Sequence, residues 1–316
     1  MRSQHCLVTG GAGFIGSHVA ERLVREGHTV RVVDNLSTGH EANLTHLRGD
    51  LELQVGDLRD PSVCRTACAG VELVFHLAAL PSVPRSMADP WASHDHNVNG
   101  TVQLLLAART AGVRRVVYSS SSSVYGDTPV LPKVETSEPM PRSPYAAAKL
   151  GGEQSVLAYA RSGILEGVAL RYFNVFGPRQ SPTSAYAAVI PIFLAAARDG
   201  TPAPVNGDGG HTRDFTYIDN VVNANLLAAV SSEANGWPVN VGAGERTSLS
   251  RLLELIREVT GANVRVEHRE ARAGDVRDSL ADLSRGAKLL GYAPSVPLRE
   301  GLRRTWNWFR ESVPVQ

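Results

Sequence analysis

Residues His5 to Thr9 form a short apolar run, and the stretch after them places Val19, Leu23 and Val24 at helical spacing. Further runs stand at Thr29–Val33, Glu52–Val55, Glu72–Phe75 and Arg115–Tyr118, with helical stretches between them. Strand and helix alternating in this way predict an α/β fold, a doubly wound parallel sheet with helices on both faces. After Arg171 the rhythm loosens, and Gly and Pro become frequent from Gly177 to Gly210. Such breakers predict loops interleaved with the sheet rather than a cleanly separate second domain. Leu249–Val259 is amphipathic at helical period and reads as core support, while Trp306, Trp308 and Phe309 read as packing or subunit interface.

Composition changes this picture little. A chain of 316 residues, 43% hydrophobic and 20% charged, is long enough for a complete core. A net charge of +1 offers no bulk field for nucleic acid or anionic membrane, so any anion site must be local. Cys6, Cys64 and Cys68 have neither a paired disulfide layout nor metal-ligand spacing, and no metal is expected. No apolar run reaches membrane-spanning length, and Met1–His5 leads straight into a strand, so the cytoplasm is the expected location.

The chemistry begins where the first strand ends. Gly10, Gly13 and Gly16 lie between strand and helix, where they permit a tight turn, a close approach to a pyrophosphate and close helix packing. The next strand ends at Asp34, placed to accept hydrogen bonds from adenosine ribose hydroxyls, which favours NAD over NADP. Asp57 follows the third strand and suits either an adenine amino group or the cap of a helix ahead of Pro61. His76 begins a small-residue strand end, His76–Ala79, and reads as a packed polar residue. The fifth strand runs into five hydroxyls, Ser119 to Ser123. Further on, Tyr145 and Lys149 stand four residues apart on a predicted helix, so a phenol and an ammonium share one space. The cation is expected to draw the phenol's pKa down toward the working range of a base.

Together these motifs resemble the extended short-chain dehydrogenase/reductases, and more narrowly their nucleotide-sugar 4-epimerases. Arg171–Gln180, Tyr186–Pro191, Gly207–Gly209, Arg213–Asp219 and Arg272–Asp275 continue the likeness in order, over essentially the whole chain. The resemblance implies a Rossmann-like NAD-binding part over residues 1–172 and a mainly UDP-sugar-binding part over 173–316, interleaved with the sheet. It implies catalytic roles for Ser121, Tyr145 and Lys149, and a cofactor site formed by Gly10, Gly13, Phe14, Ile15, Gly16, Asp34, Asn35, Asp57, Leu58, Ala78, Ala79, Asn99, Ser119, Tyr145 and Lys149. The UDP-sugar would meet Ser82, Ser121, Ser122, Asn174, Ala188, Val189, Val205, Asn206, Arg213, Arg272, Asp275 and Ser279. Arg213 and Arg272 suit a diphosphate because a guanidinium fork matches phosphate geometry. A homodimer is also implied.

The expected activity is inversion at C4 of a UDP-hexose through a transient 4-keto sugar. Ser279 stands where some relatives carry a bulky aromatic, which leaves room for a 2-acetamido group, so UDP-GlcNAc/UDP-GalNAc are expected with UDP-Glc/UDP-Gal beside them. Pro81 stands where such relatives carry a glycine, a departure expected to alter the wall near the sugar. Three alternatives stand beside this reading. A UDP-glucuronate 4-epimerase wants an extra cation near C6, for which Arg85 is the candidate. A 4,6-dehydratase wants an Asp-Glu pair where Ser122 and Ser123 stand. A non-catalytic nucleotide sensor has no use for the intact proton-transfer set.

Overall fold

A computed structural model describes residues 3–182, 187–270 and 277–311. Its first half runs β1 (His5–Thr9), α1 (Phe14–Arg25), β2 (Thr29–Asp34), β3 (Leu51–Val55), α2 (Pro61–Cys68), β4 (Leu73–His76), α3 (Val83–Ala88), α4 (Pro90–His94), α5 (Gly100–Thr110), β5 (Arg115–Ser121), α6 (Pro144–Arg161) and β6 (Glu166–Tyr172). These six strands and Pro238–Val241 form one seven-stranded sheet, in the order Pro238–Val241, β6, β5, β4, β1, β2, β3. Every pairing in it is parallel. Both faces are therefore covered, as parallel sheets require.

Side chains that alternate along each strand feed two cores. Val8 and Val117 enter a core that extends through Phe193, Ile218 and Ile256, whereas Leu7 and Val116 enter a second with Leu104 and Leu157. The same alternation continues into the hydroxyl run. Ser120 turns toward α6, and Ser121, one residue on, turns into a cleft.

The chain order reverses between β1 and β4, and a crevice opens there at the carboxyl ends of the strands. Gly10, Asp34, Asp57, Ala78, Ser121 and Asn174 all lie at or just beyond those ends. α6 starts crisply: Pro144 occupies its first turn, and the Ser143 hydroxyl accepts from the Ala146 amide at 3.1 Å. Tyr145, next in the chain, and Lys149, one turn further on, both face the crevice.

Candidate active site

Two clefts meet at the crevice. The first, about 420 Å³, is lined by the glycine turn, Phe14, Ile15, Asp34, Asn35, Asp57, Leu58, Ala78, Ala79, Ser119, Tyr145 and Lys149. The glycines there have distinct reasons. Gly10 has a φ of +66°, and a Cβ on it would lie 2.7 Å from the Ala78 backbone; one on Gly16 would lie 2.2 Å from the Gly10 carbonyl. A Cβ on Gly13 would touch only the Gly10 carbonyl, at 3.1 Å, so close contact with a ligand backbone is open there. Gly13 caps α1 without a side-chain hydrogen bond, and the first turn holds no acid, which leaves its amides and partial positive charge for an anion. Asp34 accepts from the Ala12 and Leu36 amides at 3.0 and 2.8 Å, two of the roughly four sites a carboxylate offers. Burial pushes its pKa up against those bonds. An uncapped helix start beside a bare glycine turn, with a carboxylate at the end of the next strand, fits a dinucleotide.

Asp57 is no helix cap. Asp60 does that work, accepting from the Ser62 amide at 2.7 Å, while Asp57 holds Arg59 and takes Asn35 Nδ2 at 3.0 Å. Its hydrogen bond with Arg59 keeps its carboxyl well below the usual carboxylate range. His76 is a packed polar residue between Thr9 Oγ1 at 2.7 Å and Thr101 Oγ1 at 2.9 Å, and burial drives its pKa down to about 3.

The second cleft, about 500 Å³, is lined by Ser82, Ser119 to Ser123, Lys133, Tyr145, Asn174, Ala188, Arg213 and Ser279 among others. Ile15, Ser82, Ser119, Tyr145 and Ala188 line both clefts, so the phenol stands where the two join. Two of the non-glycine residues here hold positive φ, Ser82 at 104° and Asn174 at 25°. Such backbone costs about 1–3 kcal/mol per residue and concentrates at functional sites. The Asn174 amide donates to Ser279 Oγ at 3.2 Å, tying the two sides of the pocket together.

The electrostatics of the pair differ from the sequence expectation. Burial pushes the Tyr145 phenol up to about 12, and only a hydrogen bond with Ser121 pulls it back. Lys149 goes the other way, down to about 7, because burial penalises its charge more than Glu153 supports it. Its ammonium lies 4.5 Å from the centre of the Tyr118 ring. In so dry a wall the lysine's own charge is disfavoured, so it does not by itself make a phenolate.

Behind the pair lies a buried ion pair. Glu153, two turns along α6 from Tyr145, receives Arg171 Nε at 3.0 Å and Nη2 at 2.6 Å, and the Ser120 hydroxyl at 2.6 Å. One carboxylate thus ties α6 to the ends of β5 and β6.

Several expected residues are not brought to the clefts. Asn99 is exposed and donates to Asp95 at 2.8 Å; buried Asn97 instead clamps Leu80 through its amide and carbonyl, at 2.9 and 3.1 Å. Val205 packs in the core at 2% exposure, and Val189 and Asn206 line neither cleft, although Val189 directly follows Ala188. Arg272, Asp275 and Tyr186 lie outside the described residues. Lys133 in the second cleft and Arg179 in the first went unassigned from the sequence. Arg179 reaches Ser17 at 3.2 Å and also Glu21, which links the loop after β6 to α1.

A doubly wound parallel sheet with a glycine-turn dinucleotide site, and Ser121, Tyr145 and Lys149 gathered at its mouth, defines a Rossmann-type dinucleotide-binding protein. Residues 6–242 match the NAD dependent epimerase/dehydratase family, and the chain belongs to it. It is 40% identical over 308 residues to the UDP-glucose 4-epimerase of Mycolicibacterium smegmatis, covering 96% of this chain and 98% of that one. Among solved structures, the UDP-glucose 4-epimerase of Thermotoga maritima with UDP-glucose superposes with a TM-score of 0.92 at 38% identity, over 97% of this chain and 98% of that one. The UDP-N-acetylglucosamine 4-epimerase of Methanobrevibacter ruminantium M1, in complex with UDP-N-acetylmuramic acid, gives 0.93 at 38% identity, over 98% and 99%.

Proposed function

We propose that the chain inverts C4 of a UDP-hexose, accepting UDP-GlcNAc/UDP-GalNAc and UDP-Glc/UDP-Gal, with NAD held tightly between turnovers. The observation that carries this reading is the place of Tyr145, at the junction of the cofactor and second clefts with Ser121 on its hydroxyl. When bound, NAD supplies a reversible acceptor for hydride from C4 and, in its oxidised form, a cationic ring that favours a nearby phenolate. Tyr145 Oη takes the proton of the 4-hydroxyl and later returns it. Ser121 holds that hydroxyl in line, and Lys149 supplies positive charge one turn behind. Gly13, the α1 amides and Asp34 hold the dinucleotide. Arg213 holds the diphosphate, and Asn174 with Ser279 forms the wall against which the sugar turns over.

The test is incubation of the purified protein with each UDP-sugar, without added reductant, with products resolved by NMR. A 4-epimer is expected. Tyr145→Phe should lower kcat by at least about 10²-fold while NAD stays bound, as loss of a positioned base does. Substantial residual turnover in that variant rules out Tyr145 as the base, and a 4-keto-6-deoxy product points to a dehydratase.

A further inference from the structure

Asp214 is wholly buried and directly follows Arg213, which lines the second cleft. It stands between two short strands, Thr212–Arg213, paired with Thr247–Ser248, and Thr216–Tyr217, paired with Val175–Phe176. Among the described residues the partners of its carboxylate are three backbone amides. Ala243 donates to Oδ1 at 2.7 Å, while Gly244 and Ala281 each donate to Oδ2 at 3.1 Å. Two of these amides belong to the loop after the edge strand Pro238–Val241, and the third to the segment that carries Ser279.

Three amides converging on two oxygens specify an ionised carboxylate. An asparagine has one accepting oxygen, and turning it toward Gly244 and Ala281 would set its own amide group against the Ala243 N–H. Burial pushes the Asp214 carboxyl up to about 6 against these bonds, so the group is held where it is in spite of its surroundings. Gly242 makes the approach possible: a Cβ there would lie 2.6 Å from the Ala281 Cβ and 2.7 Å from Asp214 Oδ2.

What the carboxylate joins is the wall of the second cleft. Asn174, Arg213 and Ser279 line that cleft and come from three separate stretches of chain. Ser279 Oγ accepts from Asn174 Nδ2 at 3.2 Å and, at a long 3.5 Å, from the Asp214 amide, and the Ser279 amide donates to the Thr212 carbonyl at 3.1 Å. The Thr216 amide in turn donates to the Asn174 carbonyl at 3.1 Å. Asp214 thus lies behind the wall, next to Arg213 in the chain and bonded to the segments on either side of it.

We propose, resting on the UDP-hexose reading above, that Asp214 is a positioning residue for the substrate, its carboxylate fixing Arg213 and Ser279 at the spacing the sugar nucleotide needs. It touches neither ligand. Its effect falls on the second cleft and not on the glycine turn, with which it shares no contact among the described residues.

The test measures Kd for UDP, UDP-glucose and NAD by calorimetry, with kcat and KM beside them, in the wild type and two variants. Asp214→Asn sets a donor against the Ala243 amide; Gly242→Ala keeps the carboxylate and wedges it away from Ala281. Urea unfolding shows which variants are folded. Both should bind UDP and UDP-glucose about 10- to 100-fold more weakly, as a misplacement of about 1 Å does, with KM raised in step and the Kd of NAD within about threefold of wild type. A folded Asp214→Asn variant that binds UDP as the wild type does overturns the proposal. An equal loss for UDP and NAD does so too, since it would make Asp214 a support of the fold at large. Should Asp214→Asn fail to fold, Gly242→Ala decides between the same outcomes. If UDP affinity falls selectively but no UDP-sugar is epimerised, the epimerase reading fails and the positioning role stands; a wild type that binds no UDP overturns both.

Discussion

At the scale of the residue, burial moves Tyr145 and Lys149 away from their ordinary behaviour in opposite directions. Lys149 falls to about 7 in the fold, against about 10.4 when exposed. Between those values the unfolded chain holds a proton that the folded one has lost, so this lysine's contribution to stability improves as pH rises through the window. Below pH 7 both states are protonated and the full cost of burying the charge is present. Lys149→Met, which carries no such cost, should therefore gain on the wild type near pH 7 and lose that advantage by pH 10. The slope is at most about 1.4 kcal/mol per pH unit, read from urea unfolding of both proteins. A difference that does not vary with pH would mean that the ammonium is solvated. The Tyr145 and Lys149 spacing was legible because i and i+4 share a helix face. Asn99, expected at the cofactor, is exposed on Asp95, whereas Asn97, two residues before it and so on another face, turns inward to Leu80. Lys133 lies on a loop, with no periodicity to place it beside the second cleft.

Elements matter here through what fixes them to one another. α6 carries Tyr145 and Lys149, β5 carries Ser121 and β6 leads to Asn174, and Glu153 with Arg171 joins all three. Both side chains of that pair are at most 2% exposed. Removing one partner leaves a buried charge alone, and the cost of that is about 3–5 kcal/mol. Glu153→Gln should thus unfold at markedly lower urea. Glu153→Met combined with Arg171→Leu should recover part of the loss, since a well-packed apolar replacement of the whole pair is often near neutral. A double variant no better than the single one would mean that the pair's geometry, and not its charge, holds the strands. β5 runs to Ser121 although its apolar pattern stops at Tyr118, because hydroxyl side chains carry no hydrophobic signal. Pro238–Val241, short, opening on proline and carrying a buried Asn240, gave no strand pattern; it is defined by its long-range pairing with β6.

The molecule as a whole was legible in its first half because each parallel strand is followed by a helix, and that rhythm is written in hydrophobic period. The second half owes its shape to contacts distant in sequence: Thr212 beside Asp278, Lys133 beside Ala281, Asn174 on Ser279. No local pattern encodes such pairings, so the second cleft could be expected from motifs but not drawn. Its consequence is a single crevice with Tyr145 where the two clefts join, so that on the proposed reading a dinucleotide and a sugar nucleotide approach it from two sides. If that juxtaposition performs C4 epimerisation, a hydrogen leaving C4 must come back to the same carbon without mixing with water. The direct measurement uses UDP-glucose, or the UDP-sugar that the protein turns over best, carrying deuterium at C4, followed by NMR in ordinary water. The expected product is a 4-epimer that retains deuterium at C4. A 4-epimer with the label washed out into solvent, or no 4-epimer at all, would contradict it.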